Sequence, residues 1–406
     1  MTVVNPLKAL RPASEFVESI AALPYDVYNR VEAKAVVMAN PLSFLQIDRG
    51  ETLLSDDIST YDPLVYETAG NRLQEMIDAS EFIYDKEESY YIYELERLGQ
   101  TQRGIVGCVL AKDYDAGIIK KHENTREVKE NDRINHIDAL KAHTGPIFLT
   151  YKNRDDIQTV VDTIIQNAEV IFEFTGEDGV RHKGYIVNKE NDMDQIKAIT
   201  GSMESLYIAD GHHRAASAAK VAAKHNYQGE SANFLAVMFP DSELKILDYN
   251  RVVKDLNGLS VEEYLNAIKD KFEVTKVGAK SYSPVDKATY GMFLAGAWYS
   301  LKFKDLKQVE GDPVASLDVA ILQDFLLKPI LGIEDPRLSD RIDFVGGIRG
   351  LEELEKRVAD DMVVGFAMKA TSITELIDVS DAGLLMPPKS TWFEPKLRSG
   401  LFVHHF

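Results

Sequence analysis

The segment DGHHR, residues 210–214, stands between a short apolar run, SLYIA, and an alanine-rich stretch. The apolar run predicts a buried strand, and the alanines predict a helix that begins at the histidines. The first turn of a helix exposes free backbone N–H groups and carries part of a positive charge, so it attracts anions. A glycine permits a sharp turn there, and an arginine fork matches phosphate oxygens. The motif therefore predicts a phosphate site formed by Gly211, His212, His213 and Arg214.

Two other interpretations of this segment stay open on the residues alone. In the first, Asp210 caps the helix and the histidines are structural. In the second, the histidines bind zinc, but adjacent histidines seldom share one ion, and no cysteine or suitably spaced histidine stands nearby.

A second constellation lies in KKHENTREVKENDR, residues 120–133. Asn124, with a glutamate three positions later, forms a capping-box pattern, which predicts a helix over about 125–142. Helical spacing then puts four charged residues on one face, which continues into an apolar stretch. We expect the charged end of this face to border a cleft, although a solvated ladder of ion pairs is the plainer alternative. The four residues are Arg126, Lys129, Glu130 and Arg133.

Glu123 follows His122 directly, ahead of that predicted helix. A carboxylate beside an imidazole that shifts its pKa could act as a general base.

The third constellation is MPPKSTWFEPK near the C-terminus. Lys389, Ser390 and Thr391 offer one cation and two hydroxyls to an anion, but they lack the glycine spacing of a P-loop. The alternative is a strap over 386–406 that packs on the first domain through its aromatic and apolar residues.

Strands and helices alternate irregularly around these constellations. Hairpins are predicted across Leu98-Gly99, with strands over 90–96 and 103–114, and across 176–179. Further strands are predicted at 233–240 and 244–253. The mixture indicates an α+β fold with mixed α/β layers. We expect domains over 1–254 and 255–385, followed by the strap.

The overall composition narrows the function. The chain has 406 residues, 45% hydrophobic and 27% charged, with a formal net charge of −19. An acidic chain without a basic cluster is a poor ligand for nucleic acid, yet it can hold a basic pocket for a small phosphorylated molecule. No apolar run reaches bilayer length, and no secretory signal begins the chain. The lone Cys108 suits a reducing, cytoplasmic setting, and the oligomeric state is open, with a homodimer as one possibility.

Four motifs together resemble a broad bacterial and archaeal family of unknown function, over essentially the whole chain. They are KALRP with LPYDV near the start, IKKHENT, YIADGHHRAASA and MPPKSTWFEPKLRSGL. Within it, DGHHRAASA resembles the core of the ParB/sulfiredoxin-like fold, in which such a turn binds nucleotide phosphates. The presence of both an HE pair and a DGHHR box is similar to free serine kinases of that fold.

The resemblance implies a ParB/sulfiredoxin-like N-terminal core with an additional α+β domain, and transfer of phosphate from ATP or ADP to L-serine with Mg²⁺. It implies that Glu123 is the base, and that Asp210 assists or holds the metal. This sequence departs from the compact kinases in the wide spacing between the HE pair and the DGHHR box and in its large C-terminal half, either of which could reshape the acceptor pocket.

Two other functions remain as alternatives. One is a ParB-like regulator that binds nucleotide without transferring phosphate; the acidic charge and the lack of a basic helix-turn-helix weigh against DNA binding. The other is a sulfiredoxin-like reductase, for which Cys108 is poorly placed in an apolar strand pattern.

Overall fold

The computed structural model describes residues 2–406. The chain divides into two compact units. The first unit contains 1–121, 125–244 and 395–406, and the second contains 122–124 and 245–394. The sequence-based boundaries at 254 and 385 stay a prediction.

Shorter 3₁₀ turns include Tyr25–Val27 and Gly50–Leu53. The described residues form the α-helices α1 to α13. They are α1 (Val17–Ile20), α2 (Arg30–Ala39), α3 (Leu45–Asp48), α4 (Pro63–Asp78), α5 (Ala111–Asp115), α6 (Glu127–Leu140), α7 (Asp155–Ile165), α8 (Glu190–Gly201), α9 (His212–Lys224), α10 (Val261–Ile268), α11 (Asp318–Leu322), α12 (Glu352–Asp360) and α13 (Ile373–Asp381). None of the helices in 2–406 combines the length and apolarity needed to cross a bilayer.

The described residues also form the strands β1 to β21. They are β1 (Val4–Asn5), β2 (Leu10–Pro12), β3 (Phe82–Tyr84), β4 (Tyr90–Arg97), β5 (Gln100–Leu110), β6 (Ile119–Lys120), β7 (Ala142–His143), β8 (Ile147–Tyr151), β9 (Glu169–Thr175), β10 (Arg181–Val187), β11 (Leu206–Asp210), β12 (Asn233–Pro240), β13 (Lys245–Leu247), β14 (Tyr249–Val253), β15 (Phe272–Gly278), β16 (Thr289–Leu294), β17 (Ala297–Phe303), β18 (Ile342–Gly346), β19 (Val364–Ala367), β20 (Trp392–Glu394) and β21 (His404–His405).

The first unit is built on a mixed sheet with the strand order β6-β11-β8-β12-β5-β4-β10-β9, to which β1 adds beside β5. β11 runs parallel to β6 and antiparallel to β8, while β12 runs parallel to β8 and antiparallel to β5. The central strands are buried along almost their whole length, as expected for a sheet covered on both faces. Residues of β5, β8, β11, β12 and α7–α9 form its main core.

A second core in the first unit joins the N-terminal helices α2, α3 and α4 to the end of α6. α6 packs against both α4 and α9, so it connects this helical cluster to the helix that follows the DGHHR motif. This packing sets the walls of the pocket described below.

The second unit has a sheet with the order β15-β17-β16-β19-β14-β18 and a separate β13–β20 pair. α12 packs on this sheet, and buried Trp298 lies at the centre of its core. Strands and helices of both units therefore confirm the predicted mixed α/β architecture.

Most local predictions are confirmed, and three need correction. The predicted helix after His122 begins at Glu127 with Arg126 as its N-cap, so the capping box of Asn124 is wrong. The second predicted hairpin strand, 103–114, ends at Leu110 because 111–115 form α5. The predicted strand 244–253 is two strands, interrupted at Asp248, whose carbonyl accepts a hydrogen bond from the Gly347 N–H at 2.8 Å.

The C-terminal segment is shared between the units. Trp392 packs edge-on against Tyr249 at 5.1 Å, within the second unit. Phe402 packs among Tyr91, Tyr93 and Phe172 in the first.

Candidate functional site

The start of α9 has the geometry that the DGHHR motif predicts. β11 ends at Asp210, Gly211 is the N-cap with φ +97° and ψ 31°, and the helix runs on from His212. A residue with a Cβ adopts this left-handed backbone at a cost, so glycine suits the position. All alanines of α9 except Ala223 are buried, and the helix packs on β8 and β12, which fixes its axis and the direction of its free N–H groups.

Arg214 turns back over this helix start. Its Nη1 donates a hydrogen bond to the Pro146 carbonyl at 2.6 Å, and its Nη2 donates to Asp210 Oδ2 at 3.4 Å. Lys396 Nζ lies 3.8 Å from the same oxygen. Asp210 therefore positions two cations, and the residue that caps α9 is Gly211, which corrects the interpretation of Asp210 as the cap.

His213 performs a task that the sequence did not reveal. Its Nε2 accepts a hydrogen bond from the backbone N–H of Arg126 at 3.0 Å. Burial lowers the pKa of His213, which favours the neutral ring that such a bond requires. His213 thus satisfies the start of α6, while His212 is buried beside it.

The charged residues of α6 separate instead of forming one group. Glu130 pairs with Lys220 of α9 and with Thr125; burial alone would raise the pKa of Glu130, but these hydrogen bonds hold it below its ordinary value. Glu130 therefore pairs with Lys220 of α9 and not with Arg126, Lys129 or Arg133. Arg126 is exposed outside the helix, and Lys129 is exposed with Nζ 5.8 Å from the ring centre of Tyr61.

Arg133 is the α6 residue that joins Arg214 at a pocket. It is buried, paired with Asp132 at 2.9 Å, and its guanidinium lies 4.2 Å from the ring centre of Tyr25. Its Nη1 donates to the Asp48 carbonyl at 3.3 Å.

The pocket lies between α6, α9, β7 and β8 in the first unit. Its empty volume is about 420 Å³, including the part open to solvent. Arg133 and Arg214 bring two cations to a wall that Ile137, Ile147 and Leu235 make partly apolar. The polar lining further includes Tyr25, Asp48, His143, Thr144 and Ser399. Thr144 Oγ1 donates to Asp48 Oδ1 at 2.7 Å, so this carboxylate is held in place.

A second cavity adjoins the first and shares Tyr25, Asp48, Arg133 and His136 with it. Lys129 lies on its wall. Burial, with Arg133 nearby, lowers the pKa of His136 to about 3, and its Nε2 donates to the Ile47 carbonyl at 2.9 Å. His136 is therefore a neutral, structural part of the shared wall.

The remaining predicted residues belong to the second unit. His122 is buried, its Nε2 lies 3.4 Å from Thr391 Oγ1, and its carbonyl accepts from the Met386 N–H at 2.8 Å. The structure thus brings together the HE pair and the KST segment, which are distant in sequence. Arg251 Nη2 donates to the Lys389 carbonyl at 3.0 Å, and Ser390 Oγ donates to the Pro387 carbonyl at 2.6 Å.

The described residues offer neither a suitable cluster of metal ligands nor a reactive thiol. Among residues 2–406, no group of three His, Cys, Asp or Glu side chains is placed to hold a metal ion. Asp210 faces two cations, so the site does not fit a resident Mg²⁺ ion. Cys108 is buried, and burial raises the pKa of its thiol well above the ordinary value, which leaves it unreactive.

Residues 4–320 match a protein family described as "Protein of unknown function (DUF1015)". The chain belongs to this family. No curated protein matches the DUF1015 chain.

Solved structures resemble this DUF1015 chain at a distance. A free serine kinase in complex with AMP is 12% identical, with a TM-score of 0.36, 74% of this chain covered and 91% of the other. A mutant of free serine kinase in complex with ADP is also 12% identical, with a TM-score of 0.38, 74% of this chain covered and 92% of the other. SbnI with a C-terminal truncation, from Staphylococcus aureus, is 11% identical, with a TM-score of 0.39, 73% of this chain covered and 86% of the other. These likenesses are too distant to indicate a function, so this chain's own residues must supply the chemistry.

Several residues that line the pocket were not predicted as site residues. Tyr25 lies in the LPYDV motif and Ser399 in the RSGL motif, so the four-motif pattern contained a signal for both. Asp48 and His143 lie outside these motifs and carry no local signal. They reach the pocket because β7 packs beside α6 and because carbonyls of α3 accept hydrogen bonds from Arg133 and His136 of α6.

Proposed function

We propose that this protein transfers a phosphoryl group from ATP or ADP to the hydroxyl of a small acceptor, with free L-serine as the first candidate. The observation that carries the proposal is that Arg214, folded over the glycine turn at the start of α9, lines the same pocket as the buried Arg133.

This arrangement suits a phosphate because three sources of positive potential lie close together. The first turn of α9 offers free N–H groups and the positive end of its dipole. The two guanidinium groups add donors of fixed geometry, and in a chain of net charge −19 such a pocket is an exception that attracts anions. Phosphoryl transfer depends on this kind of charge neutralisation and positioning more than on covalent chemistry.

The proposal assigns roles to the other residues of the motif. Gly211 and the backbone of His212 bind phosphate, and His213 supports the start of α6 beside them. Asp210 holds Arg214 in place, so it assists catalysis indirectly. Lys129 and Arg126 supplement the charge around the nucleotide.

Glu123 keeps its proposed role as the base that takes the acceptor's hydroxyl proton, with His122 as the group that tunes it. This assignment comes from the resemblance of the HE pair to that of free serine kinases. Lys389, Ser390 and Thr391 are proposed as additional contacts, since Thr391 lies next to His122. In this reaction Mg²⁺ would accompany the nucleotide as its counter-ion and would not be held by the protein.

The test is to incubate the purified protein with MgCl₂, ATP or ADP, and L-serine, L-threonine or L-homoserine, and to identify the product by phosphorus NMR. We expect a phosphomonoester signal that requires both nucleotide and hydroxyl amino acid. Nucleotide binding without any transfer to the panel would contradict the kinase and favour a nucleotide-binding regulator.

A further inference from the structure

The C-terminal strand brings a second histidine to the back of the pocket. β21 pairs with β7 in antiparallel register, with His404 opposite His143. The Nδ1 atoms of the two rings are 3.3 Å apart. His404 Nε2 lies 3.2 Å from the Glu230 carboxylate, and Phe406 packs against both rings, at 5.2 Å and 5.5 Å.

This chain of contacts determines which nitrogen of each ring carries the proton. The Glu230 carboxylate can only accept, so His404 Nε2 is the donor to it. Burial lowers the pKa of His404, so the ring is neutral and its Nδ1 is an acceptor. His143 Nδ1 must then donate to His404, because a bond between two acceptors does not form. The remaining nitrogen, His143 Nε2, is left with a lone pair.

His143 Nε2 is buried and has no hydrogen-bond partner among residues 2–406. The His143 side chain is 6% exposed and lines the pocket that contains Arg133 and Arg214. The two nitrogens of an imidazole point in different directions, so with Nδ1 directed at His404 it is Nε2 that can face the pocket. A buried acceptor without a donor costs free energy, which a ligand with a donor group can recover.

We propose that His143 Nε2 accepts a hydrogen bond from a donor group of the small acceptor bound in this pocket, and that His404 and Glu230 are positioning residues that keep this nitrogen unprotonated. The inference rests on the proposed function in taking the phosphate acceptor as the ligand. It limits that ligand to molecules that carry a hydroxyl or an ammonium group at the depth of His143.

The test compares binding of three molecules by titration calorimetry, without nucleotide. The first is L-serine; the second, L-alanine, lacks the hydroxyl; the third, 3-hydroxypropionate, lacks the ammonium. We expect L-serine to bind and one of the other two to bind at least about 10-fold more weakly, which identifies the donor.

The His143→Asn variant tests the acceptor directly. The Asn amide reaches the position of Nδ1 and keeps the bond to His404, but it removes Nε2. We expect the dissociation constant of L-serine to rise at least about 10-fold and that of ADP to stay within about 2-fold. His182→Asn, at another buried histidine of the same unit that does not line the pocket, is the control and should leave both constants unchanged.

Nitrogen NMR of the histidine rings tests the positioning role without any variant of the pocket. We expect His143 to be protonated at Nδ1 in the free protein, and Glu230→Ala, at an exposed residue, to produce a mixture of tautomers. Wild-type affinity in His143→Asn, a free protein protonated at Nε2, or no binding of any of the three molecules would overturn the inference. Intact binding without phosphate transfer would overturn the proposed reaction alone.

Discussion

The guanidinium group of Arg214 lies directly over Gly211, three positions earlier in the chain. A methyl group built on Gly211 would be 3.1 Å from both Nε and Nη2 of Arg214. The same glycine has φ +97°, so the sharp turn and the close approach of the arginine depend on one residue that lacks a side chain. A side chain at position 211 should therefore disturb both the turn and the position of the Arg214 charge.

Gly211→Ala tests this dependence. The substitution should lower the free energy of unfolding by about 1–2 kcal/mol, because alanine is strained at this φ, and it should weaken ADP binding because Arg214 must move. Urea unfolding and calorimetry measure the two effects. Gly201→Ala is the matched control, since Gly201 lies at the end of α8 with no atom within 4 Å of an added Cβ, and it should be neutral or stabilising by up to about 1 kcal/mol.

Arg214→Lys should keep the charge and remove the planar fork. Lysine cannot donate to the Pro146 carbonyl and Asp210 while presenting further N–H groups to a phosphate, so we expect the dissociation constant of ADP to rise about 10-fold. Arg154→Lys, at a half-exposed ion pair with Asp156, should leave it unchanged. Equal affinities in the two variants would contradict the role of Arg214.

Glu123→Gln should separate binding from chemistry. A glutamine cannot take the hydroxyl proton, so turnover should fall by about 10² to 10⁴, while the dissociation constant of the nucleotide stays the same. Single-turnover assays and calorimetry on the same preparation distinguish the two. Glu127→Gln, at an exposed position in the first turn of α6, is the control; normal turnover in Glu123→Gln would exclude the glutamate as the base.

Elements set by local pattern could be predicted from the sequence. The hairpin across Leu98-Gly99, the strand over 233–240 and the strand-to-helix junction at Gly211 are all present, because alternation, turn residues and alanine content act over short distances. The capping box failed for a physical reason: the N–H of Arg126 is satisfied by His213, from a helix far along the chain.

The pocket could be predicted only in part. Arg133 and Arg214 stand in motifs with a clear electrostatic pattern, whereas Asp48 and His143 reach the same cavity through packing of α3 and β7. The pairing of His143 with His404 depends on two strands whose partners are distant in sequence. No periodicity or spacing encodes such contacts, so tertiary packing alone brings them together.

Stability of the first unit should depend on pH through His136 and His182. Burial lowers the pKa of each to about 3, helped by Arg133 and Arg398 respectively, against an ordinary value of 6.5. Between about pH 3 and 6.5 the unfolded chain binds more protons than the folded one, so the free energy of unfolding rises with pH through this window and is lost as pH falls.

Each histidine should contribute a loss of about 2 kcal/mol between pH 7 and pH 5. Urea unfolding at several pH values, followed by far-UV circular dichroism, measures this loss. Tryptophan fluorescence is not suitable, because Trp298 and Trp392 both belong to the second unit and would report on its unfolding. His182→Asn should be less stable than the wild type at pH 7, since it loses the ring that bonds Tyr93 and Arg398, yet its stability should change less with pH. An unchanged pH dependence in that variant would mean that the pKa of His182 is the same in the folded and unfolded chains, which its burial opposes.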